Sequence, residues 1–144
     1  MVRRICLMYS SESADYEDLY QESLANIWRG FDSFRNQSGV STWIYRICVN
    51  TCITWLRVNS RHRNMRNLEE ALTQVAGDDS ERREQLQMMY NVISTLDALQ
   101  KSIIMMWLDG FQYDQIAEVT GLKQTNVADR LHRIKEKIKK QIPV

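Results

Sequence analysis

Proline occurs once and glycine five times in the 144 residues. Both residues interrupt helices and crowd the turns of many-stranded β folds, so their scarcity points to long helices. No run of about 18 apolar residues exists, which excludes a spanning helix. No signal-peptide pattern opens the chain, so the expected compartment is the cytoplasm, without membrane insertion. Three cysteines, an odd number, make no disulfide framework and fit a reducing compartment. A glycine-rich phosphate loop, a nucleophile elbow and a paired-carboxylate motif are all missing. His62 and His132 have no carboxylate or cysteine partner at catalytic spacing. These absences lead to the expectation of a protein that is not an enzyme, needs no cofactor and holds no metal.

Four Trp, six Tyr and 44% hydrophobic residues exclude disorder. The length suits one domain, or two small helical ones joined by a linker. The net charge is only +1, but it is unevenly spread. Residues 1–62 hold seven Lys/Arg against six Asp/Glu, residues 63–97 four against seven, and residues 98–144 eight against five. Lys123 to Gln141 alone carries seven basic and two acidic residues. A neutral total thus conceals an electrostatic footprint for nucleic acid.

Tyr16 to Phe31 places Leu19, Tyr20, Leu24, Ile27, Trp28 and Phe31 at helical spacing and predicts an amphipathic helix with that face buried. Ser13 or Asp15 could cap it, and Asp15, Asp18, Gln21, Glu22 and Arg29 take the opposite face. A polar loop from Asp32 to Val40 follows. Ser41 or Thr42 is placed to cap a second long helix, from Trp43 to about His62. Residues 1–9 read as the tail of an earlier helix. Over residues 63–80 the periodicity fades and Asn, Asp, Glu and Gly accumulate, as in a flexible linker with room for a helical turn around Leu68 to Val75. Helical patterns resume over about Glu81 to Leu96, Ala98 to Leu108, Tyr113 to Val119 and Lys123 to Gln141. The expected class is all-α, two small helical domains joined by a flexible linker. Met88, Met89, Met105 and Met106 read as core filler, and Cys48 and Cys52, one turn apart, as buried apolar residues rather than ligands.

Two constellations carry chemistry. Near the C-terminus, a short helix with Ile116, Ala117 and Val119 runs into Gly121, which can supply a left-handed turn. Leu122 fills the angle, and Val127, Leu131, Ile134 and Ile138 form the buried stripe of the next helix. This is a helix-turn-helix spacing, whose second helix enters the DNA major groove by its N-terminal end. Thr125, Asn126, Asp129 and Arg133 face away from the stripe, with Arg130 and Lys137 at the flanks, where they can read base edges and hold phosphates. A plain helical hairpin with a solvated basic tail has the same spacing. In the helix from Trp43, steps of about 100° per residue align Arg46, Asn50, Thr54, Arg57 and Arg61. Trp43 falls within that polar stripe. Guanidiniums on phosphates and a ring against unstacked bases suit a single strand; a solvated face with Trp43 tucked under a loop is the competing reading. Arg35, Asn36, Gln37 and Ser38 could clasp an extruded base.

The run Asp15-Tyr-Glu-Asp-Leu-Tyr-Gln-Glu-Ser-Leu-Ala-Asn-Ile-Trp-Arg, then Phe34-Arg, then Ser41-Thr-Trp-Ile-Tyr-Arg-Ile-Cys-Val-Asn, resembles the second region of bacterial extracytoplasmic-function (ECF) sigma factors of the sigma-70 family. Gly121 to Lys140, with Arg130-Leu-His-Arg-Ile-Lys, resembles their fourth region, in the right order. The resemblance implies domains at 1–62 (region 2) and 81–144 (region 4) around an acidic linker at 63–80. It implies a dissociable subunit that directs RNA polymerase core enzyme to specific promoter DNA and initiates transcription. Asp18, Gln21 and Glu22 match the surface for the beta-prime subunit. Phe34, Arg35, Asn36, Gln37 and Ser38 match the loop that captures a flipped base of the minus-ten element, and Trp43, Arg46, Asn50 and Arg57 the helix along the melting strand. Gln124, Thr125, Asn126, Arg130, Arg133 and Lys137 match the reader of the minus-thirty-five element. Glu69, Glu70, Asp78 and Asp79 resemble the segment threaded through polymerase. Contacts to the beta subunit and a cognate anti-sigma factor are implied as well.

The chain departs from the family in two places. Relatives begin with a fuller first helix, so the N-terminal helix reads as incomplete. Many carry Ser or Thr where Lys123 stands, and lysine cannot accept a capping bond; Gln124 or Thr125 could shift the helix start instead. The alternative function is a free-standing helix-turn-helix regulator that binds duplex DNA without polymerase.

Overall fold

The computed structural model describes residues 1–10, 16–35, 39–59 and 67–142. Its helices are α1 (Val2–Tyr9), α2 (Tyr16–Gly30), α3 (Val40–Asn59), α4 (Asn67–Ala76), α5 (Ser80–Ile93), α6 (Ala98–Leu108), α7 (Tyr113–Thr120) and α8 (Gln124–Gln141), with a 3-10 turn at Phe31–Ser33. No strand occurs among the described residues, so the chain is all-α, as its composition implied. Packing divides it into two compact units, Met1–Ser94 and Thr95–Val144.

In the first unit, α1 touches α2, α3, α4 and α5. Ile5, Cys6, Leu7, Met8 and Tyr9 are all fully buried. The segment that read as a helix tail therefore buries its last five helical residues, while Arg3 in its first turn stays exposed. The neighbouring helices bury Tyr16 and Leu19 of α2 and Tyr45, Cys48, Val49, Cys52 and Leu56 of α3.

The buried face of α2 is not the one its large residues imply. Tyr16, Leu19 and Ser23 are buried, and the same face continues to Asn26 and Gly30, which meet Thr51 and Trp43 of α3. Small residues let the two helices approach closely, and the close approach leaves the bulky stripe outside. Leu24, Trp28 and Phe31 are consequently 43%, 82% and 65% exposed. Ser13 and Asp15 lie outside the described residues.

α3 begins at Val40, three residues earlier than its spacing suggested, with the Trp43 amide donating to the Gly39 carbonyl at 3.0 Å. Ser41 and Thr42 thus lie inside the first turn rather than at its cap, and Thr42 is buried. His62 and Arg61 fall outside the described residues.

The segment expected to hold only a helical turn forms the ten-residue α4. Leu72 is fully buried, and Gln74 Nε2 donates to Glu17 Oε1 of α2 at 2.7 Å. Gly77, at φ 66°, reverses the chain into α5, whose first turn is capped by the Asp79 carboxylate accepting from the Arg82 amide. α5 packs on α4 and α1 and is grouped by its contacts with the first unit. Met88 is 68% exposed and is not core filler.

The second unit is built on α6. Asp97 caps it through a reciprocal pair with Gln100, each side chain accepting from the other's amide at 2.8 and 3.1 Å. Ile103, Ile104, Met105 and Met106 are buried, together with Lys101 and Ser102. Over them pack Ile116 and Val119 of α7 and Val127, Leu131 and Ile134 of α8.

Candidate nucleic-acid interface

α3 carries Arg46 and Arg57 and no carboxylate, so its outer face is positive. Asn50, Thr54 and Arg57 are exposed, while Arg46 and Trp43 are half-buried. The Phe34 ring stands just after the 3-10 turn, with its centroid 4.9 Å from that of Trp43 and the planes 41° apart. This geometry joins the two readings of Trp43: its ring is supported by the neighbouring segment and also opens onto a groove. The groove, of about 670 Å³, runs between α2 and α3 and is lined by Glu22, Asn26, Gly30, Trp43, Asn50 and Thr51 among others. Its floor is ordered by a chain of hydrogen bonds. Arg29 Nη1 donates to Asn26 Oδ1 (2.9 Å), Asn26 Nδ2 to Thr51 Oγ1 (2.9 Å), and Thr51 Oγ1 to the Ile47 carbonyl (2.7 Å). Arg35 is exposed and donates to the Asp32 carbonyl at 3.2 Å. Asn36, Gln37 and Ser38, the remainder of the expected base-capturing loop, lie outside the described residues.

Toward the start of α2, Asp18 and Gln21 are exposed, while Glu22 is half-buried and also lines the groove, its carboxylate 3.8 Å from Arg29 Nη1. Leu24 and Trp28 follow Gln21 at helical spacing, so an apolar patch continues this polar face. Sequence periodicity assigned those two residues to the core. The competing signal was the row Ser23, Asn26 and Gly30, small enough to be the true contact face.

In the second unit, Gly121 has φ 76°, the left-handed conformation its position required, and its amide donates to the Ala117 carbonyl at 2.9 Å. The α7–α8 turn is thus the expected helix-turn-helix. Lys123 is the residue before α8 and makes no side-chain capping bond; the helix nonetheless starts at Gln124, without the shift that lysine suggested. Val127, Leu131 and Ile134 are buried, whereas Ile138 is only half-buried. Gln124, Thr125, Asn126, Asp129, Arg130 and Arg133 are all exposed along the outer face. Lys137 is exposed too, but its Nζ donates to the Thr95 carbonyl at 3.2 Å, which ties it to the unit's own backbone. Lys135 stands over the Trp107 ring at 3.7 Å, a cation–π contact.

Cys6, Cys48 and Cys52 are free and buried in the first unit. Burial pushes the Cys48 thiol up to about 12. Hydrogen bonds from Cys52 and Ser23 hold Cys6 below its ordinary value, and the same contact with Cys6 raises Cys52. Among the described residues no cluster of His, Cys, Asp and Glu could hold a metal ion.

The Sigma-70 region 2 family model matches residues 1–62, and that of Sigma-70 region 4 matches residues 86–138. The ECF RNA polymerase sigma-E factor of Salmonella typhimurium LT2 is 30% identical over 143 residues, spanning 90% of this chain and 75% of the relative. That of Haemophilus influenzae is 30% identical over 146 residues, spanning 89% and 75%. In fold, the chain is similar to the sigma factor RpoE solved with the anti-sigma factor NepR from Bartonella quintana, with a TM-score of 0.72, 23% identity and 96% and 88% of the two chains covered. It is also similar to CnrH solved with the cytosolic domain of CnrY, with a TM-score of 0.64, 20% identity and 97% and 80% covered. The helix-turn-helix, the ring-flanked groove on a positive helix and these matches in the same order lead to one conclusion: the chain belongs to the ECF sigma factors of the sigma-70 family.

Proposed function

We propose that the chain directs RNA polymerase core enzyme to its promoters through three surfaces. Asp18, Gln21 and Glu22, extended by Leu24 and Trp28, dock on the polymerase beta-prime subunit. Phe34, Arg35, Trp43, Arg46, Asn50 and Arg57 take the minus-ten strand as it melts, together with Asn36, Gln37 and Ser38. Gln124, Thr125, Asn126, Arg130 and Arg133 read the minus-thirty-five duplex from the major groove, while Lys137 adds only charge. By the family's domain pattern, residues 1–62 act as region 2 and 81–144 as region 4, with 63–80 passing through polymerase; the beta subunit is a further partner within core enzyme.

The observation that carries this reading is the Phe34–Trp43 ring pair beside a groove that Trp43 lines, where α3 supplies no carboxylate and Glu22 of α2 stands 3.8 Å from Arg29 Nη1. Duplex readers need no such site, because paired bases present no face to stack on. A free-standing helix-turn-helix regulator would leave it without a use. The solved relatives were captured with NepR and CnrY, and a comparable anti-sigma partner is proposed for this chain. No described helix is long and apolar enough to cross a membrane, in keeping with action in the cytoplasm. The test is binding to a promoter-length duplex with and without core enzyme. Tight, sequence-selective binding only in the presence of core supports the proposal; equally tight binding by the chain alone favours the regulator.

A further inference from the structure

Gly30 closes α2 at φ −85° and ψ −9°, right-handed backbone that any residue adopts. The turn therefore does not call for glycine, and at a helix end glycine is less stable than alanine. The reason for it lies across the groove. A Cβ on Gly30 would stand 3.2 Å from Trp43 Cζ2, 3.6 Å from Ile47 Cδ1 and 3.8 Å from Trp43 Cη2. The first distance is inside the roughly 3.5–4.0 Å at which carbon atoms pack. The Phe34 ring lies against the same indole, its centroid 4.9 Å away.

We infer that Gly30 is a positioning residue for promoter melting: its missing side chain lets the Trp43 indole settle against the end of α2, where it can stack on an unpaired base. This rests on the proposal that Trp43 meets such a base. Stacking depends on where the ring face lies, so a displacement of a few tenths of an ångström reaches the strand even though the fold tolerates it. Gly30→Ala consequently separates two effects that usually move together. Helix propensity rises, while strand capture weakens.

The experiment uses holoenzyme made from core polymerase and the full chain, on a duplex promoter that this holoenzyme selects from a randomised library. Permanganate reactivity of thymines reads the open complex. Wild type, Gly30→Ala, Trp43→Ala and the double variant are compared, with thermal unfolding of each free chain. Gly30→Ala is expected to lower opening about fivefold, a fraction of one base–aromatic stack, without lowering the unfolding midpoint. Gly30→Ser is expected to repeat the loss. In the Trp43→Ala background, Gly30→Ala should change nothing further, because no ring remains to be displaced. The inference fails if Gly30→Ala opens promoters like wild type while Trp43→Ala does not, if its loss persists without the indole, or if opening and thermal midpoint fall together. Normal opening by Trp43→Ala would instead remove the role of Trp43, and the inference with it.

Discussion

The rings of Phe34 and Trp43 sit 4.9 Å apart with their planes tilted by 41°, so one ring supports the other beside the α2–α3 groove that Trp43 lines. Base–aromatic stacking contributes about 1–3 kcal/mol per base. Trp43→Ala should therefore weaken holoenzyme binding to a fork-junction DNA carrying a single-stranded minus-ten segment by about 1–3 kcal/mol. Binding to the closed duplex should hardly change. Phe34→Leu, which keeps the apolar contact but removes the ring, should lose a smaller part of the same affinity. Electrophoretic titration on the two DNA forms separates these effects.

The outer face of α8 treats its two basic ends differently. Arg133 is exposed and lies on the reading face, whereas the Lys137 ammonium is bonded to the Thr95 carbonyl at 3.2 Å. Arg133→Ala should cost about 1–3 kcal/mol and relax selectivity at one base pair. Lys137→Ala should leave base preference intact and reduce the salt slope by no more than about 1. Competition between single-base promoter variants at two salt concentrations measures both.

Trp28 is 82% exposed, so its removal leaves no cavity. Trp28→Ala should change unfolding free energy by no more than about 0.5 kcal/mol, in the range of ordinary surface substitutions. If it anchors the contact with polymerase, it should weaken core binding by about 2 kcal/mol or more. Calorimetric unfolding and fluorescence titration with core enzyme give the two numbers.

The Cys48 thiol, held up to about 12 by burial, stays protonated where an unfolded thiol near 9 ionises. A group raised on folding gives its full stabilisation below the unfolded value and loses it as pH climbs toward the folded one. Unfolding midpoints should accordingly fall between pH 9 and 12. Cys48→Ala should be less stable throughout because of its smaller side chain, but its decline over that window should be shallower. Thermal melts at half-unit pH intervals check the slope.

Much of this was legible where local chemistry decides structure. Gly121 marked the turn of the helix-turn-helix, Val127, Leu131 and Ile134 marked the stripe of α8, and Ala98 to Leu108 marked α6 to the residue. The misreadings arose where packing partners decide. The large residues of α2 looked like its core face, but Ser23, Asn26 and Gly30 allow α3 closer and win the contact. Val40 extends α3 because the Gly39 carbonyl accepts from Trp43, a bond that no capping side chain announces. The burial of Leu72 draws α4 onto the first unit, a long-range contact that periodicity alone does not encode. The groove beside Trp43 belongs to the same class: each lining residue was visible, and their meeting depended on how closely two helices cross.

The central claim is that this chain starts transcription by bringing core polymerase to a promoter and holding one strand open. Run-off transcription tests it most directly, with core enzyme, the purified chain and a linear template bearing the promoter selected by the holoenzyme. A discrete transcript is expected only when chain and core are both present, lost with Trp43→Ala on duplex DNA and regained on a template already melted across the minus-ten segment. No transcript above core alone, together with tight duplex binding by the isolated chain, would contradict it.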